Sequence, residues 1–320
     1  MQRAWVRGTL AAWAALRGPI VVGGKVMDPM MSAFIRLARA LDRDPGGLAG
    51  LRRRYAAAPA VTGMRPDRTV RVTGFVAAGL RMRRYEPLGR ARATMLYFHG
   101  GAFIMGGLGT HDPLCRRLAS RAGLQVVSVD YRLAPEHPFP AAHDDAAKAW
   151  AWAEANLPGP LLVGGDSAGA NLAASIGLSG APALQALIYP VVDMLHVDGL
   201  YPSIERYGAR FLLTKDVMQE CARMLIPPGQ DPADTRLSPI QADLSRASPA
   251  VIAVAGFDPL LDQGKAYARA LRKAGVRTHL LEEAGLVHGF ADFAGVIPEG
   301  RRAVDRIAGA IRAELDRSGT

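Results

Sequence analysis

Cysteine is scarce: Cys115 and Cys221 are the only two in 320 residues. They stand far apart in helix-like runs and match neither a C-x-x-C pair nor a zinc-ligand spacing. A disulfide scaffold is excluded, and reduced, buried thiols in a cytoplasmic protein are the expectation. Lysine is scarce too, occurring only at Lys25, Lys148, Lys215, Lys265 and Lys273. The net charge of +10, from 39 basic and 29 acidic residues, therefore rests almost wholly on arginine. That excess is spread thinly. Its densest cluster is Arg52-Arg53-Arg54, with Arg81, Arg83, Arg84, Arg90 and Arg92 further on. No interleaved aromatics and no Gly-Lys-Ser/Thr phosphate loop accompany it, which argues against a nucleic-acid partner. Long apolar runs are missing, and none approaches the length of a transmembrane helix. The apolar N-terminus, Met1 to Leu16, is interrupted by Arg7, followed by Arg17, and lacks a small-x-small cleavage site. It predicts an amphipathic helix packed on the body rather than an export signal, with no stable membrane insertion. Internal repeats and low-complexity tails are absent as well.

Hydrophobic residues make up 49% of the chain, enough for one large α/β domain. Residues 1 to about 66 look helical. Asp28-Pro29 is a helix start, and Met30, Phe34, Leu37, Ala38 and Leu41 share one face; Leu48 to Ala58 is a second helical run. From Arg68 the pattern alternates, with Val70, Val72 and Phe75, then Leu80, Met82 and Tyr85, predicting two antiparallel strands. Thr94 to Phe98 reads as a strand buried on both faces. Strands at Val126–Val129, Leu161–Val163, Leu184–Tyr189, Val251–Val254 and Thr278–Leu281 then alternate with helices at Ala141–Asn156, Asp262–Ala274 and Gly300–Arg317. Repeated β-α units predict a mostly parallel, doubly wound sheet. The rhythm stops over residues 195–245, where Lys215 to Leu225 is the one helix candidate. The expected organisation is a core of residues 67–194 and 246–320, with helical cap segments at 1–66 and 195–245.

The chemistry centres on Val163 to Asn171, which reads strand, sharp turn, helix, with Ser167 at the apex and Gly165 and Gly169 two positions either side. A strained turn brings backbone where flanking side chains would collide, so glycine is needed there. Ligand sites in such sheets lie at the C-terminal strand ends. Each remaining candidate stands just after a strand: His99-Gly100-Gly101-Ala102, then Asp258-Pro259, then His288-Gly289-Phe290. The order is Ser, Asp, His. Asp262 is the rival acid, although it lies where a helix begins and capping is its plain role. His111, His137, His143, His196 and His279 match no metal-ligand pattern, so neither metal nor cofactor is expected. Asp144 and Asp145 read as capping residues near a helix start.

These motifs, with Tyr131-Arg132-Leu133-Ala134-Pro135-Glu136, resemble the hormone-sensitive-lipase-like branch of the α/β-hydrolases, the bacterial family IV carboxylesterases. The similarity runs from about Arg68 to the end, and more loosely through the N-terminal helices. It implies an α/β-hydrolase fold, with helices on both faces of the sheet and a helical cap. Ser167 would be the nucleophile, His288 the base and Asp258 the acid that orients it. An oxyanion hole would draw on the amides of Gly100, Gly101, Ala102 and Ala168, with His99 bracing the loop. Ala102 replaces the third glycine of the commoner His-Gly-Gly-Gly form. Asp166 is the identity that separates this family's elbows from those with Thr. Phe34, Phe211 and Leu212 are the leading candidates for the substrate pocket, from a set that also holds Met27, Met30, Met31, Tyr201, Tyr207 and Met218; for any single one, core packing is the plainer reading. The implied reaction is hydrolysis of short- to medium-chain acyl esters, with a small-molecule ester and water as partners. An amidase or lactonase on the same triad is the alternative. A receptor role, as in the similar plant gibberellin receptors, is disfavoured because the base is present. Dimers are frequent among similar proteins, and Arg277 to Leu281 is the candidate pairing edge.

Overall fold

The computed structural model describes residues 2–41, 46–195 and 199–317; His196 lies outside them, as do parts of both expected cap segments. Two helices and a small hairpin begin the chain: α1 (Gln2–Arg17), β1 (Val21–Val22), β2 (Lys25–Val26) and α2 (Pro29–Ala40). The Asp28 carboxylate caps α2 by accepting from the Met31 amide at 2.9 Å, with Pro29 pre-set at the first helical position. Helix α3 (Gly47–Val61) follows.

The sheet then forms from β3 (Val70–Ala77), β4 (Leu80–Pro87), β5 (Thr94–Phe98), β6 (Gln125–Asp130), β7 (Leu161–Asp166), β8 (Leu184–Ile188), β9 (Ala250–Phe257) and β10 (Thr278–Val287). Its order is β10-β9-β8-β7-β5-β6-β4-β3, with β5 to β10 mutually parallel and β3 and β4 antiparallel. Its central strands are buried throughout, which is why β5, β8 and β9 read as continuous apolar runs. Between strands lie α4 (Asp112–Ala122), α5 (Ala141–Asn156), α6 (Ala168–Gly177) and α9 (Leu261–Lys273), and α10 (Pro298–Arg317) closes the fold. Helix α4 packs on α10, and α5 on α6.

Strand order reverses at β5. The chain leaves β5 for β6 on one side, then crosses back to place β7 on the other. The C-terminal ends of β5 and β7 thus lie side by side, in register at Phe98 and Gly165, and the loops that follow diverge around a crevice.

Three strands outrun their expected ends by three residues or more: β7 continues to Asp166, β9 to Phe257 and β10 to Val287. Helix α4 is anticipated only as the helix-like run around Cys115, and the short α7 (Pro202–Tyr207) is absent from the sequence reading; α8 (Lys215–Leu225) has the expected bounds. The β10 edge is partly covered. The Asp28 amide donates to the Gly285 carbonyl at 2.9 Å, and Lys25 pairs with Glu282 at 3.1 Å.

Candidate active site

Five neighbouring strand ends build the site. Beyond β7, Ser167 takes φ 53° and ψ −117°, a conformation that costs on the order of 1–3 kcal/mol for a residue with a side chain. The flanking glycines make it sterically possible. A Cβ on Gly169 would stand 2.0 Å from the Phe98 carbonyl oxygen, and one on Gly165 would meet the Gly169 carbonyl at 2.4 Å. The elbow therefore needs glycine at both positions because backbone passes there, whatever the side chains do.

Strands β9 and β10 deliver the next two groups by register. Phe257 pairs with Val287, so the residues that follow, Asp258 and His288, emerge beside one another. The His288 Nδ1 lies 2.8 Å from Asp258 Oδ2, and its Nε2 lies 2.9 Å from Ser167 Oγ. The other Asp258 oxygen accepts the Leu260 amide at 2.8 Å, which fixes the carboxylate plane. Burial alone would push the His288 imidazole down. The Asp258 carboxylate outweighs it by charge and hydrogen bond, and holds His288 above its ordinary value of 6.5. The Tyr189 ring, at the end of β8, packs 4.9 Å from the imidazole. Asp262, the rival acid, points elsewhere: its Oδ2 accepts the Ser203 amide at 2.7 Å and so caps α7 rather than its own helix.

The loop after β5 lies against the elbow. Ala102 and Phe103 both adopt positive φ, 54° and 63°. Ala102 thus keeps the left-handed turn that a third glycine would take freely, at a cost of roughly 1–2 kcal/mol. The structure corrects one expected donor. The Gly100 amide is already given to Asp166 Oδ1 at 2.9 Å, so of the four expected donors Gly101, Ala102 and Ala168 remain. His99 is fully buried and stacks on Tyr131 with ring centroids 4.2 Å apart. Its Nδ1 lies 2.8 Å from the Gly100 carbonyl, and burial pushes its pKa down to about 3, leaving it neutral. The Tyr131 hydroxyl donates to the His99 carbonyl at 2.7 Å.

Asp166 now has a physical account. Its buried carboxylate accepts from the Tyr97 hydroxyl at 2.7 Å as well as from Gly100, and His111 Nε2 lies 3.2 Å away. The elbow and the oxyanion loop are thereby tied through one side chain. A Cβ on Gly100 would reach within 2.3 Å of that carboxylate, so glycine is needed at Gly100 for contact rather than for dihedral freedom. Burial alone would raise the Asp166 pKa, but His111 lowers it by charge and hydrogen bond; burial would lower the His111 pKa, but Asp166 raises it. Nearby, Asp292 accepts the Tyr55 hydroxyl at 3.1 Å. Its pKa is pushed up to about 6, chiefly by burial, with the Asp166 charge adding to the rise and His111 opposing it.

Ser167 opens into a narrow cavity of about 60 Å³, whose apolar wall includes Phe103, Leu213, Met218, Cys221 and Leu225. Its polar members are engaged elsewhere. Asp193 accepts the Tyr201 hydroxyl at 2.6 Å, and Gln263 Oε1 accepts the Val192 amide at 2.8 Å. Burial, aided by Glu220, pushes the Cys221 thiol up to about 11, so it lines the wall as a neutral group. None of the three expected pocket residues lies here. Phe34 packs at a tilt against Phe293 with ring centroids 4.6 Å apart, Phe211 packs edge-on to Phe257 at 5.8 Å, and Leu212 is 38% exposed. Met218, from the wider candidate set, does line the cavity, whereas Leu213 carries no signal that separates it from core. A larger, open cleft lined by Arg81, Asp130, Arg132 and Lys148 holds none of Ser167, Asp258 or His288.

The remaining polar candidates are structural. Asp145 takes a two-pronged bond from Arg132 at 2.8 Å for both contacts instead of capping α5. His143 bridges Asn171 and the Arg236 carbonyl, each at 3.0 Å. Among the described residues, no helix is long and apolar enough to cross a membrane.

The chain is similar to known proteins. A family model described as the α/β hydrolase fold matches residues 95–292. A carboxylic ester hydrolase of Mycobacterium tuberculosis, LipN, is 37% identical over 93% of this chain and 86% of its own. An ethyl acetate hydrolase of Pseudomonas putida is 38% identical over 70% of this chain and 74% of its own. Among solved structures, an esterase of Pyrobaculum calidifontis superposes with a TM-score of 0.81 at 35% identity, covering 90% of this chain and 98% of that one. With its elbow, strand-end acid and base, and glycine loop, the chain belongs to the hormone-sensitive-lipase-like branch of the α/β-hydrolases, a family of carboxylic ester hydrolases.

Proposed function

We propose that the protein is a serine carboxylesterase that cleaves short- to medium-chain acyl esters through an acyl-enzyme on Ser167. The unbroken chain from Ser167 Oγ through His288 to Asp258, at 2.9 and 2.8 Å, carries the reading. His288 removes the Ser167 proton as the hydroxyl attacks the ester carbonyl, and returns it to the departing alcohol; a water then repeats the sequence on the acyl-enzyme. The amides of Ala168, Gly101 and Ala102 receive the charge that develops on the carbonyl oxygen, each donor being worth roughly 2.7–4 kcal/mol in such sites. Asp258 orients the imidazole and stabilises its protonated form. The segments 1–66 and 195–245 act as the cap, and α8 supplies the cavity wall.

The narrow apolar cavity supports a short acyl group. Hydrolysis of p-nitrophenyl esters is expected to peak at a short or medium chain, and a monotonic rise toward long chains would refute that preference. Ser167→Ala is expected to lower turnover by roughly 10⁴-fold or more while leaving the thermal midpoint nearly unchanged. Full turnover in that variant would dismiss the nucleophile. We further place the protein in the cytoplasm, with Cys115 and Cys221 reduced, and read the Arg277–Leu281 stretch of the β10 edge as a homodimer contact.

A further inference from the structure

Arg52 and the Tyr131–Glu136 segment contribute no group to the reaction centre, yet they meet beneath it. Arg52 belongs to α3, and its guanidinium engages three residues. Nε donates to the Ile104 carbonyl at 2.7 Å, Nη2 donates to the Ala134 carbonyl at 2.8 Å, and Nη1 and Nη2 each reach a Glu136 oxygen at 2.7 Å. Ile104 closes the oxyanion loop, since its amide donates to the Gly101 carbonyl at 3.0 Å. On the loop's other side the Ala134 amide donates to the Phe103 carbonyl at 2.9 Å. A closed circuit results: Arg52 holds Ile104 and Ala134, and Ala134 holds Phe103. Gly101 and Ala102, with two of the three free amides, are joined to it by the chain and by the Ile104–Gly101 bond.

The ion pair itself adds little stability. The Glu136 side chain is 55% exposed and that of Arg52 30%, and exposed pairs contribute about 0–1 kcal/mol. What the two-pronged contact supplies is direction, because a planar guanidinium locked on a carboxylate can aim its remaining N–H groups in only one way. Ile104 itself is buried, at 1% exposure.

We infer that Arg52 is a positioning residue: through it, helix α3 sets the oxyanion loop, with Glu136 fixing the guanidinium. The inference rests on the esterase reading, so wild-type turnover and its loss in Ser167→Ala are established first; if either fails, it is that reading which falls. The test compares Arg52→Ala, Arg52→Lys and Glu136→Gln, with kcat counted per active site after phosphonate titration. Because oxyanion donors act mainly in the transition state, Arg52→Ala should lower kcat about 10- to 100-fold with KM within about twofold. Affinity for a trifluoromethyl ketone, which places an oxyanion in the hole, should fall by the same factor as kcat/KM. Added guanidinium at millimolar concentration should restore part of the Arg52→Ala loss. Arg52→Lys should fall between, since lysine keeps the charge and loses the fork, and Glu136→Gln should lose about threefold or less because both carbonyl acceptors remain. Three results would overturn the proposal: unchanged kcat and ketone affinity in Arg52→Ala, a loss confined to KM, or a loss of titratable sites and thermal midpoint with kcat per site intact.

Discussion

The floor and the roof of the cavity over Ser167 are built on different terms. The floor is made of strand ends, where backbone touches backbone and groups are matched in specific pairs: Gly169 against Phe98, Gly100 against Asp166, His288 against Asp258. The roof, built from Val191, Met194, Leu213, Met218, Ala222 and Leu225, presents apolar side chains whose contacts are non-directional. On the floor, few residue types can occupy a given position. On the roof, many side chains of similar volume would serve. Function divides in the same way, with the reaction assigned to the floor and the choice of substrate to the roof.

The sharpest way to break this comparison is on the floor. Asp258→Asn preserves shape but removes the charge that holds the His288 tautomer, and kcat should fall roughly 10³- to 10⁴-fold. It should also move the acid limb of the pH profile. Turnover needs neutral His288, whose pKa the Asp258 carboxylate keeps above 6.5, so kcat/KM rises with pH through that raised value. Without the carboxylate the burial penalty prevails, and the limb should shift to lower pH as the rate falls. A limb that stays put would mean that His288 is set by other charges. Asp166→Asn comes next. Removing one partner of a buried ion pair costs about 3–5 kcal/mol, and the loss should appear as a lower denaturation midpoint in urea. The pH dependence has two signs. His111, raised by Asp166, contributes stability that is lost as pH rises through its folded pKa. Asp166, lowered by His111, contributes stability that is lost as pH falls through its own. The wild type should therefore lose stability on both flanks, and Asp166→Asn should flatten both.

A single added methyl gives the third test. Gly169→Ala places a carbon 2.0 Å from the Phe98 carbonyl oxygen, where only backbone movement relieves it. The cost should reach or exceed the roughly 1–3 kcal/mol typical of overpacking, read as a drop in thermal midpoint, with the nucleophile displaced as well. Midpoint and activity like those of the wild type would show that the elbow tolerates a side chain and that the steric account is wrong.

The same contrast explains what was legible in the sequence. The β-α alternation, the elbow and the strand-end positions of Asp258 and His288 are visible because strand periodicity and glycine placement are constrained residue by residue. The bonds of Asp166 to Tyr97, Gly100 and His111 are not visible, because these residues are brought together only by the order of the strands. Arg52 is hidden for the same reason: nothing local distinguishes it from Arg53 or Arg54, and its acceptors lie 52, 82 and 84 positions away. Donor availability is a further blind spot. Gly100 carries the same motif as Gly101, and only the packed carboxylate reveals that its amide is taken. The roof misled most, since Phe211 and Leu213 are equivalent in pattern while one packs on Phe257 and the other faces Ser167.

The smallest expected effect belongs to the roof. Met218→Ala removes a flexible side chain from the cavity wall, and the acyl-chain optimum should lengthen by about one to three carbons, because each methylene accommodated is worth roughly 1–3 kcal/mol of discrimination. The rate on the shortest esters should change only a few-fold, since the floor is untouched. Phe34→Ala is the matched control. Its ring lies on Phe293 outside the cavity, so it should cost stability without moving the optimum. If Phe34→Ala shifted the chain-length profile and Met218→Ala did not, the acyl group would lie along α2 instead of α8. The division between a reacting floor and a selecting roof would then have to be redrawn around the N-terminal helices.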